Sequence, residues 1–158
     1  MNLATGGYNA PAVKRLLPRE VLLGEAERIL SEGREVVLVS KGRSMLPFIR
    51  GGVDKVLLRK LENLKVGDIA LARVDDRYVM HRVIAINGQQ VTLMGDGNLQ
   101  EKEQTAVDEV AGVVVEIITP DGRRHKPNRG WLWRKMCPFR KYLLKIYRKW
   151  NKIFGRAF

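Results

Sequence analysis

Six short apolar runs, each closed by turn-forming residues, constrain this chain more than any other feature. They are Glu35–Ser40, Lys55–Leu58, Asp68–Ala72, Tyr78–Ile86, Gln90–Met94 and Gly112–Ile118, and they are rich in Val, Ile and Leu. Such residues suit a pleated, half-buried surface. The connections contain Gly51-Gly52, Val66-Gly67-Asp68, Asp75-Asp76, Asn87-Gly88 and Asp121-Gly122, which accept the backbone angles of tight turns. Asn-Gly between two apolar runs is a strong hairpin signal. The pattern predicts a compact, mainly antiparallel β-domain.

A helix is expected before the first strand. Pro18 suits a first turn, and Val21, Leu22, Ile29 and Leu30 place apolar residues on one side up to Glu32. Gly33 can close the helix in a left-handed cap. A second helix is expected in the tail, starting at Pro138. Phe139, Tyr142, Leu143, Ile146, Tyr147, Trp150, Ile153 and Phe154 recur at 3–4 spacing, and Arg140, Lys141, Lys145, Arg148, Lys149 and Lys152 fill much of the remainder. That is a basic amphipathic helix with aromatics on its apolar side. The expected organisation is an extension over 1–17, a β-domain with its leading helix over 18–122, and the basic tail over 123–158.

Charge separates tail from domain. Of the 29 Lys and Arg, 13 follow Asp121, where there is no Asp or Glu; the other 16 are balanced by all 17 carboxylates. The net charge of +12 is thus a property of the tail, which attracts anionic surfaces. The single cysteine, Cys137, excludes an internal disulfide and argues against a Cys-based metal site. No metal or cofactor is expected. No stretch approaches the roughly 18–20 apolar residues needed to span a bilayer. Met1–Ala10 lacks a signal peptide's basic start and apolar run. The expected location is cytoplasmic or peripheral to a membrane.

Three segments carry candidate chemistry. Lys41-Gly42-Arg43-Ser44-Met45-Leu46-Pro47 places a serine on a Gly-led turn after an apolar strand. Gly42 permits an unusual backbone angle or a close approach, and backbone N–H groups near such a serine can serve an oxyanion. Taken alone, the segment is an ordinary turn. His81 lies within the apolar run Met80-His81-Arg82-Val83-Ile84; it is a base for Ser44 only if the fold brings the two within about 3 Å, and otherwise a structural histidine. Gly95-Asp96-Gly97-Asn98 places a carboxylate at a strand end, where it can form an Asx turn or orient an imidazole. Glu101, Glu103 and Asp108 compete for the second role.

In order and spacing these blocks resemble the signal peptidase and LexA-like serine peptidase superfamily. Gly42-Arg43-Ser44-Met45-Leu46-Pro47 is similar to the nucleophile box, and Lys65-Val66-Gly67-Asp68-Ile69-Ala70 to the following strand. His81-Arg82-Val83-Ile84 and Gly95-Asp96-Gly97-Asn98 are similar to the base and acidic boxes. The resemblance covers residues 35–118 and implies a coiled antiparallel β-domain. It also implies a serine endopeptidase with Ser44 as nucleophile and His81 as base, as in the endoplasmic-reticulum and archaeal signal peptidases rather than the Ser–Lys enzymes. Lys65 and Lys102 lie outside the base box. Asp96 is the expected third member, and the backbone around Arg43 and Ser44 the expected oxyanion site. Two departures stand out. Gly42 occupies the position where signal peptidases commonly carry a second serine, and no amino-terminal membrane anchor of the usual kind is expected from the residues before Glu35.

The expected substrate is a peptide or protein. The tail is expected to meet an anionic membrane through Trp150, Ile153, Phe154, Lys149 and Lys152, or to pack the same side on the domain or on a second copy as a homodimer. An aromatic-rich apolar side weighs against nucleic acid. The alternatives to an active peptidase are an inactive peptidase-fold binding module and a LexA-like regulator. Ala111-Gly112 is read as the small-residue start of a core strand rather than a self-cleavage site.

Overall fold

All six apolar runs form strands, and two further strands that periodicity does not reveal join them. The computed structural model describes residues 18–98, 101–127, 132, 135 and 139–154. Helix α1 spans Arg19–Ser31. It is followed by β1 (Val36–Val39), β2 (Lys55–Arg59), β3 (Ile69–Val74), β4 (Arg77–Asn87), β5 (Gln90–Met94), β6 (Lys102–Ala106), β7 (Val110–Ile118) and β8 (Arg124–His125), with a single 3₁₀ turn at Val107–Glu109 and helix α2 at Arg140–Phe154. The unexpected strands are β6 and β8. Strand β6 reads KEQTA, with no apolar alternation, so hydrophobic pattern alone cannot find it.

Every strand pairing is antiparallel, and the order across the sheet is β1-β2-β7-β3-β4-β5-β6, with β8 paired to β7. Register shifts between Leu57 and Leu58, Leu71 and Ala72, and Val83 and Ala85 mark bulges. Bulges bend a strand and increase its twist. The sheet therefore curls until its far edge returns toward β3. There, Thr105 Oγ1 on β6 donates to the Arg73 carbonyl oxygen at 2.6 Å.

The turns follow their residues. Asp75 and Asp76 both adopt positive φ, 46° and 60°, as a two-residue loop between β3 and β4 requires. The next hairpin pairs Asn87 with Gln90. Its loop is therefore Gly88-Gln89 rather than Asn87-Gly88, with the positive φ of 60° on Gly88.

Two apolar clusters fill the interior. One joins Leu23 and Leu30 of α1 to Val56, Leu58, Ile69, Leu71, Val114 and Ile117, together with Met45 and Ile49 from the loop after β1. The other gathers Val79, Val83, Val91, Leu93 and Val113 inside the curl. Each fully buried side chain of this size contributes about 1.5–3 kcal/mol. Gly112 lets α1 approach: a Cβ there would lie 3.1 Å from Leu30 Cδ1 and 3.0 Å from the Arg59 carbonyl oxygen. Ala111 is buried and Gly112 pairs with Leu71 inside β7. The pair is thus core, closed to a protease.

Among the described residues, no helix is long and apolar enough to cross a membrane.

Candidate active site

The loop between β1 and β2 presents Ser44 because its neighbours are anchored on all sides. Met45 and Ile49 are buried in the core, and the Ile49 N–H donates to the Met45 carbonyl at 3.0 Å. At the loop's base, the Ser40 N–H donates to the Asp54 carbonyl at 3.0 Å, and the Gly52 N–H donates to the Ser40 carbonyl at 2.7 Å. Asp54 is itself buried and accepts from the Arg50 N–H at 2.7 Å and from Arg50 Nη2 at 2.8 Å. Gly42 has a φ of 86°. Gly51 passes so close that a Cβ on it would stand 1.8 Å from the Gly42 carbonyl oxygen. Ser44 is left half-buried.

The segment Gly95-Asp96-Gly97 supports that loop from the other side. The Gly97 N–H donates to the Ser44 carbonyl at 2.7 Å. A Cβ on Gly95 would lie 2.6 Å from the Ser44 carbonyl oxygen, and one on Gly97 would lie 2.7 Å from that of Arg43. Both glycines are needed for close backbone approach.

His81 lies on β4, opposite Ala70 of β3. Its Nδ1 is hydrogen-bonded to Glu103 Oε2 on β6. The other Glu103 oxygen accepts from Arg77 Nη2 at 3.3 Å. Both the imidazole and the carboxylate are largely buried, with side-chain exposures of 12% and 13%. An ionised carboxylate only accepts, so this contact places the ring proton on Nδ1 and leaves Nε2 as the basic nitrogen.

The expected third member, Asp96, is engaged elsewhere. Its two oxygens accept from Arg82 Nε at 2.7 Å and Arg82 Nη2 at 2.6 Å. The pair is almost fully enclosed, with exposures of 1% and 3%. Arg82 also donates through Nη1 to the Gly67 carbonyl at 2.8 Å, and its guanidinium lies 5.3 Å from the Phe48 ring centroid. Arg82 thus ties together the turn before β3, the Gly95–Gly97 segment and the serine loop. Of the other candidates, Glu101 accepts from Asn98 Nδ2 at 2.8 Å. Asp108 is exposed on the 3₁₀ turn and lines a different depression.

A cleft of about 420 Å³ is lined by three of the candidate groups. Ser44, His81 and Glu103 line it, with Leu22 and Leu23 of α1, Leu38, Val56, Leu71 and Met80 forming apolar walls. Tyr78, also at the cleft, is bonded to Glu27 of α1. Its phenol is held above the ordinary tyrosine range by burial first and by the Glu27 carboxylate second. Lys41 lines the cleft but is exposed, whereas a lysine base requires desolvation. Among the described residues, no hydrogen bond joins the Ser44 hydroxyl to His81; such contacts are commonly loose before substrate binds.

Two sets of donors near the serine lack acceptors among the described residues. The N–H groups of Arg43 and Ser44 have none among the described residues. Ser40 lines the cleft, is only 4% exposed, and its hydroxyl has no partner among the described residues. Sequence reasoning passed over Ser40, although it ends the same apolar run four residues before Ser44. No group of described His, Cys, Asp or Glu side chains could hold a metal ion.

A sequence profile described as Peptidase S24-like matches residues 3–115, which spans the serine loop, His81, Glu103 and most of the sheet. The chain belongs to the S24-like peptidase family. The curled antiparallel sheet is the fold expected of such a member, and the LexA and signal peptidase superfamily is its wider setting. No curated protein matches the chain.

Proposed function

We propose that this S24-like chain is a serine endopeptidase acting through Ser44, His81 and Glu103. The observation carrying this reading is the His81 Nδ1–Glu103 contact in a cleft that Ser44 also lines. Ser44 Oγ attacks a peptide carbonyl as His81 Nε2 takes its proton. The C–N bond then breaks, and the leaving amine receives that proton. Water next adds to the acyl-serine, giving its proton to Nε2, and the acid product departs as the serine regains its hydrogen. Glu103 fixes the tautomer and stabilises the imidazolium throughout; Arg77 positions Glu103. The N–H groups of Arg43 and Ser44 receive the tetrahedral oxyanion.

Ser40 supplies a further hydrogen bond to the bound substrate. A hydroxyl at the cleft wall, without a partner among the described residues, gains one when a polar substrate group enters. It thereby offsets the loss of a hydroxyl at Gly42. The apolar walls favour small or aliphatic substrate side chains beside the scissile bond.

Turnover tests the reading. The full chain is incubated with a complex peptide mixture, and new amino termini are identified by mass spectrometry. Cleavages made by the wild type and missing with Ser44→Ala support the proposal. Identical patterns from both proteins reject it, and no cleavage by either favours a binding module on a peptidase fold.

A further inference from the structure

Helix α2 divides its apolar residues between two sides. Leu144 is buried at 3% exposure, and Leu143 and Tyr147 are half-buried. Tyr147 lies near enough to Arg50, at the end of the serine loop, to act on its charge. Phe139, Tyr142, Ile146 and Trp150 instead expose between 61% and 65% of their surface. At 100° per residue, Ile146 points about 160° away from Leu144. The buried residue of the helix is therefore not part of the exposed row. Lys141, Lys145 and Lys149 form a second exposed row immediately beside it, continued by Lys152. The side chains of Ile153 and Phe154 lie outside the described residues.

We infer that this outward side of α2 docks on an anionic lipid bilayer. Tyr142, Ile146 and Trp150 recur every four residues, so they form one line on a helix. A line of apolar and aromatic side chains enters the headgroup–acyl boundary, while the lysine row beside it reaches phosphate and carboxylate headgroups with its stems laid along the lipid. The sequence after Asp121 contains no Asp or Glu, so no acidic side chain in it opposes an anionic surface. The same fact disfavours a second copy. A two-fold pairing of this side would set lysine row against lysine row with no acidic partner. Nucleic acid would meet the lysines but leave Ile146, between Tyr142 and Trp150, without a base-stacking role.

Co-sedimentation of the full chain with vesicles tests the inference. Phosphatidylcholine vesicles are compared with vesicles containing three parts in ten phosphatidylserine. The expected result is at least tenfold stronger binding to the anionic vesicles, weakened by salt. Ile146→Asp and the triple change of Lys141, Lys145 and Lys149 to Glu should each reduce binding about tenfold or more. Far-UV circular dichroism and Ser44 labelling report whether each variant remains folded. A third variant, Tyr142→Ser, removes an exposed ring without adding charge and should weaken binding in the same direction. Equal binding to both vesicle types, no binding, or binding unaffected by all three variants would overturn the inference. So would vesicle-free self-association lost with Ile146→Asp, which assigns the row to a second copy. Tight DNA binding that survives Ile146→Asp while vesicle binding is missing would assign the lysines to nucleic acid.

Discussion

Glu103 on β6 closes on Nδ1 of His81 on β4, two strands away in the sheet. The curl that returns β6 to Arg73 makes this reach feasible. Removing the carboxylate's charge should therefore damage catalysis more than folding. Glu103→Gln is expected to lower kcat by about 10²–10⁴ through loss of the productive tautomer. Its melting temperature should change by only a few degrees, because Arg77, its other partner, is largely exposed. Steady-state kinetics beside a thermal melt checks the split.

Asp96→Asn should show the reverse emphasis. Arg82 would remain buried without its bidentate carboxylate, and breaking one side of such a pair costs about 3–5 kcal/mol. For a chain of this size that is about a 10 °C fall in Tm. A melt as stable as the wild type, with activity lost, would reassign Asp96 to the chemistry.

Ser40→Ala removes a hydroxyl that has no partner among the described residues. Folding stability should be nearly unchanged, because no buried group loses its bond. The value of kcat/KM should fall about 10–100-fold, less than the roughly 10²–10³-fold of a dedicated oxyanion donor. Unchanged kinetics would remove Ser40 from the site.

The backbone contact between the Gly95–Gly97 segment and the serine loop yields another prediction. Gly97→Ala places a Cβ 2.7 Å from the Arg43 carbonyl oxygen and 3.2 Å from that of Leu46. The serine loop must shift to accommodate it. Labelling of Ser44 by a reactive phosphonate should slow at least tenfold, with the secondary structure retained by circular dichroism.

Tyr78 gives an alkaline signature. Its folded pKa is raised, by burial and then by Glu27, so the folded state favours the protonated phenol. That stabilisation is complete below the unfolded value near 10 and is lost as pH rises from there through the folded pKa. Tyr78→Phe should remove a component that ionises above the ordinary tyrosine range from an absorbance titration of the protein. It should also flatten the decline in stability above about pH 10.

Most of the sheet was legible because its strands alternate or run apolar between Gly, Asp and Asn turns. Ser44 and His81 were legible as candidates through the order of their blocks. Glu103 could not be ranked first, because β6 is polar and its approach to His81 depends on curl created by bulges in other strands. Asp96 sits in a Gly-Asp-Gly segment at a strand end, a pattern that suits two roles. Here it carries close backbone packing and a buried ion pair with Arg82, whose neighbour in sequence is the imidazole. In the tail, helical spacing identified an apolar side, but only the fold separates Leu144 from the exposed row.

The most direct test of the central claim is the intact mass and modified residue after exposure to a fluorophosphonate. One adduct is expected, located on Ser44, that forms with the wild type, is lost with Ser44→Ala and is strongly slowed with His81→Ala. No adduct on the folded wild type, or equal labelling after Ser44→Ala, would contradict it.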